Sequence, residues 1–334
     1  MKQTLNKIGW KYGIYALWFL GARIVASTLI SKFAPEFYEK NKYTLSCLSS
    51  LIIVYLFGML IVWLLTKNMP KTEFEKNKYS VGKFIKIIVA SFGAAGIGVI
   101  IGLPLHLLFS LPFGADPSKG GVSDLMFNGN YPLTAFLVVI CAPVFEELLF
   151  RKFLIDRLAV KGKLLAILTS GICFGLFHGN FQQAFFATFL GWIFAYVYTK
   201  TGKIHYTMIL HAVINGTSMF ITVPLARWYL KMYDEMLANE AFASAGVTED
   251  ILLMVLAALL IIGWFLVLAT LALAGVIVLI VQIANKKIVI DKNPDEEPQS
   301  KQILALVTAP GMYVFYAVMV LNFVYTYVAF LLDK

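Results

Sequence analysis

The chain has 334 residues, 60% of them apolar and 14% charged, where an ordinary soluble domain is closer to half apolar and about a quarter charged. The apolar residues fall in long runs covering most of the chain, which excludes a pair of soluble globular domains and leaves one multi-helix membrane domain. The net charge of +9 builds no nucleic-acid surface, because Lys and Arg sit between the apolar runs, where topology determinants belong; no nucleic-acid partner is expected.

A span needs about 20 apolar residues to cross roughly 30 Å of hydrocarbon, and nine runs are candidates. The first, 8–30, follows Lys2, Lys7 and Lys11. It is too long for the apolar region of a signal peptide and lacks a small-residue cleavage site, so it reads as a spanning helix. Runs 44–65 and 84–110 come next, separated by Lys67, Lys71, Lys76, Lys78 and Lys83. A net acidic loop around Asp116 and Asp124 leads to runs 132–158, 163–178, 181–200 and 204–224. Residues 226–237 then place Trp228, Met232 and Met236 on one helical stripe beside Tyr229, Tyr233 and Leu237, the pattern of a helix in the outer interface. Run 251–284 is long enough to tilt or to project beyond the bilayer. A polar loop, 291–299, precedes run 303–332, whose start is a short surface segment because Ala309-Pro310-Gly311 is a natural break.

The expected fold is therefore all-α, a polytopic membrane helix bundle of about eight to nine transmembrane helices. Residues 1–130 supply the N-terminal spans, 131–224 a polar-bearing core, and 225–334 the interfacial helix and C-terminal spans. With a cytoplasmic N-terminus, most of the 28 Lys and Arg residues fall on the inside, so the positive-inside rule predicts a multi-pass cell-membrane protein in that orientation. Cys47, Cys141 and Cys173 all lie inside apolar runs without metal-ligand spacing and read as small buried hydrophobes, with no disulfide framework.

Polar residues inside the runs are few. Glu146 and Glu147 are adjacent in CAPVFEELLFRKFL, where an ionisable group at the bilayer centre costs about 2.5–3.5 kcal/mol. Arg151, four residues after Glu147, shares its helix face and can pair with it. That pairing leaves Glu146 to face a polar cavity; the bland alternative is a buried pair that fixes packing. In SGICFGLFHGNFQQ, Phe174 and His178 are one turn apart. Glu146 lies 16 residues before Gly162 and His178 lies 16 residues after it, so an antiparallel hairpin with its tip at Gly162 puts both about 24 Å from that tip. Two ionisable groups at one depth can act on one water. His211 and Asn215 project from one face of the next span, nearer to its basic tip at Gly202. If the Gly162 hairpin projects about 10 Å, the depths agree, the site lies in the cytoplasmic half, and the cavity opens toward the cytoplasm and the inner leaflet. Arg23 is expected to snorkel or pair locally, His106 and Asn322 to pack or hydrogen-bond, and His205 to be solvated.

These residues resemble a family. Glu146 to Arg151, EELLFR, matches the EExxxR motif, Phe174-Gly-Leu-Phe-His178 the FxxxH motif, and His211-Ala-Val-Ile-Asn215 the HxxxN motif of the CPBP intramembrane proteases. That family includes CAAX prenyl endopeptidases and ABI, or bacteriocin-immunity, proteins. The resemblance spans Tyr131 to Val223, and outside it nothing is recognised. It implies an intramembrane endopeptidase acting on a membrane-associated protein or peptide near the cytoplasmic face. It also implies roles: Glu146 with His178 activating water, His211 and Asn215 as oxyanion donors, and Glu147, Arg151 and Phe174 in support. No cofactor is expected, although Glu146, His178 and His211 could in principle form a His₂Glu zinc set; no HExxH helix is present. A non-catalytic bacteriocin-immunity or membrane scaffold protein of the same fold is the alternative. A transporter is a third reading, disfavoured by the lack of repeats and broken helices.

Overall fold

The structure, a computed structural model, describes residues 1–111, 121–238, 249–291 and 296–332. Asp116 and residues 292–295 of the polar loop lie outside the described residues. The described chain is an all-helical bundle. Its helices are α1 (Lys2–Phe33), α2 (Pro35–Thr66), α3 (Val81–Ser110), α4 (Gly121–Asn128), α5 (Tyr131–Leu158), α6 (Lys163–Phe177), α7 (Phe181–Thr201), α8 (Ile204–Met236), α9 (Glu249–Ala284), α10 (Gln299–Thr308) and α11 (Pro310–Leu332).

Local chemistry sets the boundaries. Ala34 leaves the helical region and Pro35 opens α2, so the first two helices form a tight antiparallel pair. The Ser80 hydroxyl accepts from the Lys83 N–H at 3.3 Å, and the Asn180 side chain accepts from the Gln183 N–H at 2.9 Å, capping α3 and α7. Gly202 ends α7 in the left-handed conformation with φ 60°, donating to the Tyr198 carbonyl.

Seven of the described helices are long and apolar enough to cross a membrane. The runs 163–178 and 181–200 are not among them: α6 has only 15 residues, and α7 carries Gln182, Gln183, Tyr196, Tyr198 and Lys200. Both are sheathed by other helices and need no lipid-matched surface. Small residues let the backbones approach. A Cβ on Gly93 of α3 would sit 2.3 Å from the Gly275 carbonyl carbon of α9, and one on Gly98 would sit 2.2 Å from the Phe186 Cα of α7. Thus α3 lies between α7 and α9, while α1 packs along α11.

One expectation is corrected. Residues 226–237 are not a separate interfacial helix: α8 runs unbroken through Ile204–Met236, 33 residues or about 50 Å. A π-helical turn at Ser218–Thr222 precedes Pro224, where the missing proline N–H would otherwise break an α-helical ladder. The break at Ala309, by contrast, falls between α10 and α11.

The basic loops gather at one end of the bundle. The Thr72 N–H donates to the Asp156 carbonyl at 2.6 Å, the Asn77 N–H to the Thr201 carbonyl at 3.0 Å, and Lys76 Nζ to the Gly202 carbonyl. Lys200 Nζ pairs with Asp291 at 2.6 Å and holds that carboxyl below its usual range.

Candidate functional site

Helix α5 is α-helical over Ala142–Glu147 and π-helical on either side, over Phe136–Cys141 and Leu148–Ile155. Pro143 offers no N–H to the preceding turn, which favours the wider turn before it. Carbonyls of the π segments are taken by side chains from other helices. Asn215 Nδ2 donates to Val138 O at 2.8 Å, Tyr12 Oη to Leu149 O at 2.7 Å, and Ser170 Oγ to Phe150 O at 2.8 Å. The segment bearing the two glutamates is thereby gripped from α8, α1 and α6. Single-turn π insertions of this kind concentrate at functional sites.

Glu147 and Arg151 are fully buried, and Glu147 Oε2 meets Arg151 Nε at 3.0 Å. The guanidinium lies over two rings, 4.6 Å from the centroid of Phe174 and 5.5 Å from that of Phe194, a desolvated cation–π arrangement. The other glutamate oxygen, Oε1, takes His211 Nδ1 at 3.1 Å. Ionised beside Arg151, Glu147 can only accept, so Nδ1 of His211 carries the proton and Nε2 is left toward the cavity. Phe174 touches Arg151 and both histidines, its ring centroid lying 5.6 Å from that of His211 and 5.1 Å from that of His178.

Glu146 has different company. Its Oε1 accepts a hydrogen bond from Tyr55 Oη at 2.7 Å, while Oε2 stands 3.9 Å from His211 Nε2, beyond hydrogen-bond reach. Tyr55 comes from a π-helical stretch of α2 and stacks on Phe145 with centroids 5.2 Å apart. His178 closes α6, and its Nδ1 donates to the Phe174 carbonyl at 2.8 Å, again presenting Nε2. Glu146, His178, His211 and Asn215 all line one cavity of about 530 Å³.

The cavity does not open where spacing suggested. Its lining rises from Phe174, Phe194 and His211 past Tyr55 and Asn180 to Arg23, Glu39, Lys42 and Asp124. Exposure rises with it, from 6% for His211 to side-chain values of 42% for Lys42 and 71% for Glu39. These last residues lie at the end opposite the basic loops. Toward the basic end the Glu147–Arg151 pair seals the floor, and beneath it Asp156 is held by Lys152 at 2.7 Å and Tyr198 at 2.8 Å. Glu146 is 12 residues from Leu158, about 18 Å, and somewhat farther from Tyr131. The expected depth, in the half nearer the basic loops, agrees with this count, whereas the expected opening toward those loops is corrected: the exposed lining of the cavity lies at the other end. Counting residues fixes relative depth; it does not show which end is plugged.

Sequence reasoning missed Tyr55, whose only signal was a hydroxyl inside an apolar run, a group that must find a partner when buried. Arg23 lines the cavity and stacks over Phe19 at 5.2 Å, with no ion-pair partner among the described residues. His106 bonds Tyr327 through Nδ1 at 2.9 Å, Asn322 is buried against Gly179, and His205 stacks on Tyr206 with centroids 4.6 Å apart. Among the described residues no group of three His, Cys, Asp or Glu is arranged to hold a metal ion. Both Nδ1 atoms are committed and both Nε2 atoms are left facing the cavity, and no step below is routed through a metal.

Residues 128–217 match the family described as type II CAAX prenyl endopeptidase Rce1-like. Among curated proteins, YdiL of Bacillus subtilis (strain 168), named as a membrane peptidase, is 25% identical over 183 residues, covering 54% of this chain and 74% of the relative. No solved structure matches the chain. The family-matched stretch contains Glu146, Glu147, Arg151, Phe174, His178, His211 and Asn215; Tyr55 and Arg23 lie outside it.

Proposed function

We propose that this chain, a member of the CPBP intramembrane protease family through residues 128–217, is a membrane-embedded endopeptidase that cleaves a membrane-associated protein or peptide by glutamate-assisted attack of water. One observation carries the reading: Glu146 has one oxygen fixed by Tyr55 and the other facing the cavity shared with His178, His211 and Asn215.

In this reading Glu146 Oε2 takes a proton from water while His178 Nε2 accepts the second hydrogen and holds the nucleophile in line. The hydroxide adds to the scissile carbonyl carbon, and the carbonyl oxygen becomes an oxyanion. Asn215 donates through its amide, one hydrogen of which is anchored on Val138 O. His211, its Nδ1 held by Glu147 at 3.1 Å, presents Nε2 to the same oxyanion and donates from it when doubly protonated. On collapse the C–N bond breaks, and the amine leaves with the proton that Glu146 carries. The basic end faces the cytoplasm by the positive-inside rule, which makes the N-terminus cytoplasmic and turns the cavity mouth toward the other side.

The test compares the membrane proteomes of cells carrying wild-type and Glu146→Gln protein. A precursor should accumulate only with the variant, and the purified wild-type protein should cleave it. Identical membrane proteomes, with no cleavage of any candidate, would leave the fold serving a non-catalytic role.

A further inference from the structure

A second cavity, of about 250 Å³, opens at the basic end, remote from the catalytic one. It is lined by Thr4 and Lys7 of α1, Asn68 to Pro70 after α2, and Arg157, Val160 and Lys161 around the end of α5. Its three ionisable residues are all cationic. Lys7 and Lys161 are exposed at the rim, whereas Arg157 is only 7% exposed and forms the floor. No carboxylate among the described residues pairs with any of the three. The nearby Asp156 carboxylate is already taken by Lys152 and Tyr198. Arg157 instead donates from Nε to Thr66 O at 3.3 Å and from Nη1 to Lys152 O at 3.2 Å and lies over the Phe153 ring at 5.6 Å, so that no anionic group among the described residues neutralises it. A buried, unneutralised guanidinium under two lysines is an incomplete arrangement, and an anion completes it.

The surroundings identify the anion. The cavity sits where α1, α2 and α5 end, at the depth of a lipid headgroup. The neighbouring surface below it is apolar and aromatic, with Trp10 55% exposed, Trp63 45% and Val160 38%. Tryptophans of this kind mark the membrane interface, and basic pockets between helix ends suit lipid phosphates. We propose that this cavity binds the phosphate headgroup of an anionic phospholipid, whose chains lie along the apolar flank. Because Arg157 bonds the carbonyl end of α2 and the π-helical part of α5, the bound lipid braces the two helices that carry Tyr55 and Glu146.

The site is tested with the full chain in nanodiscs of phosphatidylcholine alone or with phosphatidylglycerol, read by thermal unfolding and by native mass spectrometry of retained lipid. Phosphatidylglycerol should raise the unfolding temperature by on the order of 3–6 °C and remain bound. The Lys7→Gln/Lys161→Gln double variant, which alters only exposed side chains, should lose that increment while keeping its unfolding temperature in phosphatidylcholine. Arg157→Lys should retain part of it. Inorganic phosphate added to phosphatidylcholine discs should have no effect. An equal increment in the double variant, or one reproduced by inorganic phosphate, overturns the assignment.

Discussion

Glu146 and Glu147 adjoin in the chain, yet the regions they serve are built on opposite rules. Below, Glu147, Arg151, His211 and Phe174 form a buried set in which the carboxylate pairs with a cation on one side and an imidazole on the other. Above, Glu146 has one oxygen held and one open, in a cavity also lined by Arg23, which has no ion-pair partner among the described residues. The closed region holds geometry and the open one is available for chemistry. Buried polar groups that satisfy one another specify structure. Groups left partly unsatisfied in a cavity are the ones a substrate or water completes.

Substitutions can break this contrast. The largest effect belongs to Glu146→Gln, which keeps the shape and the Tyr55 hydrogen bond but removes the base. Cleavage should fall by at least about 10³-fold, near the upper range for general-base loss, with an unchanged unfolding temperature. Retained activity in this variant would remove the chemistry from the upper region. Glu147→Gln should act the other way round, costing about 3–5 kcal/mol of stability because Arg151 is left buried without its counter-charge. Thermal unfolding in detergent measures it, and an unaltered melting curve would mean that the lower region is hydrated and not closed.

Two smaller effects sharpen the boundary. Asn215→Ala should lower kcat by about 10²-fold with little change in KM, because the bond matters most in the transition state. A change confined to KM would move Asn215 to substrate binding. Tyr55→Phe removes one hydroxyl from Glu146 and keeps the stack on Phe145, so a loss of about 5–10-fold in kcat/KM is expected, the value of a single hydrogen bond of about 1 kcal/mol. A loss as deep as that of Glu146→Gln would make Tyr55 a participant in catalysis instead of a positioning residue.

Much of this arrangement was legible before any coordinates. The apolar runs gave the helices, because a membrane segment has to satisfy its own backbone and lengths follow from bilayer thickness. The i, i+4 spacings put Glu147 with Arg151 and His211 with Asn215, and counting from Gly162 levelled Glu146 with His178. What escaped was long-range. Nothing in the run SLIIVYLF singles out the phenol of Tyr55 as the partner of a carboxylate 91 residues away. The π-helical turns of α5 were hidden as well, since they depend on side chains delivered by three other helices. The direction of the cavity depends on where the hairpin of α6 and α7 stops, a property of the packed bundle. The continuity of α8 was missed because a stripe of aromatics and methionines looks the same on a surface helix and on the end of a long one.

That hairpin also governs the order in which the molecule can be made. Helix α6, at 15 residues, falls short of the ~20 that insert unaided, and α7 does not meet the apolarity of a span by itself. Their turn is tied off by residues that emerge from the ribosome much later. Tyr327 Oη accepts the Phe181 N–H at 3.2 Å, Phe323 packs on the Phe181 ring at 5.2 Å, and Asn322 abuts Gly179, whose φ of 70° makes the turn. A nascent chain halted before α11 would hold every family-matched motif and still expose an unfinished hairpin to lipid. Quality control by membrane chaperones and degradative proteases would therefore act in the interval between synthesis of the motifs and arrival of Tyr327, and shortening that interval should raise the yield of assembled protein more than improving any motif helix.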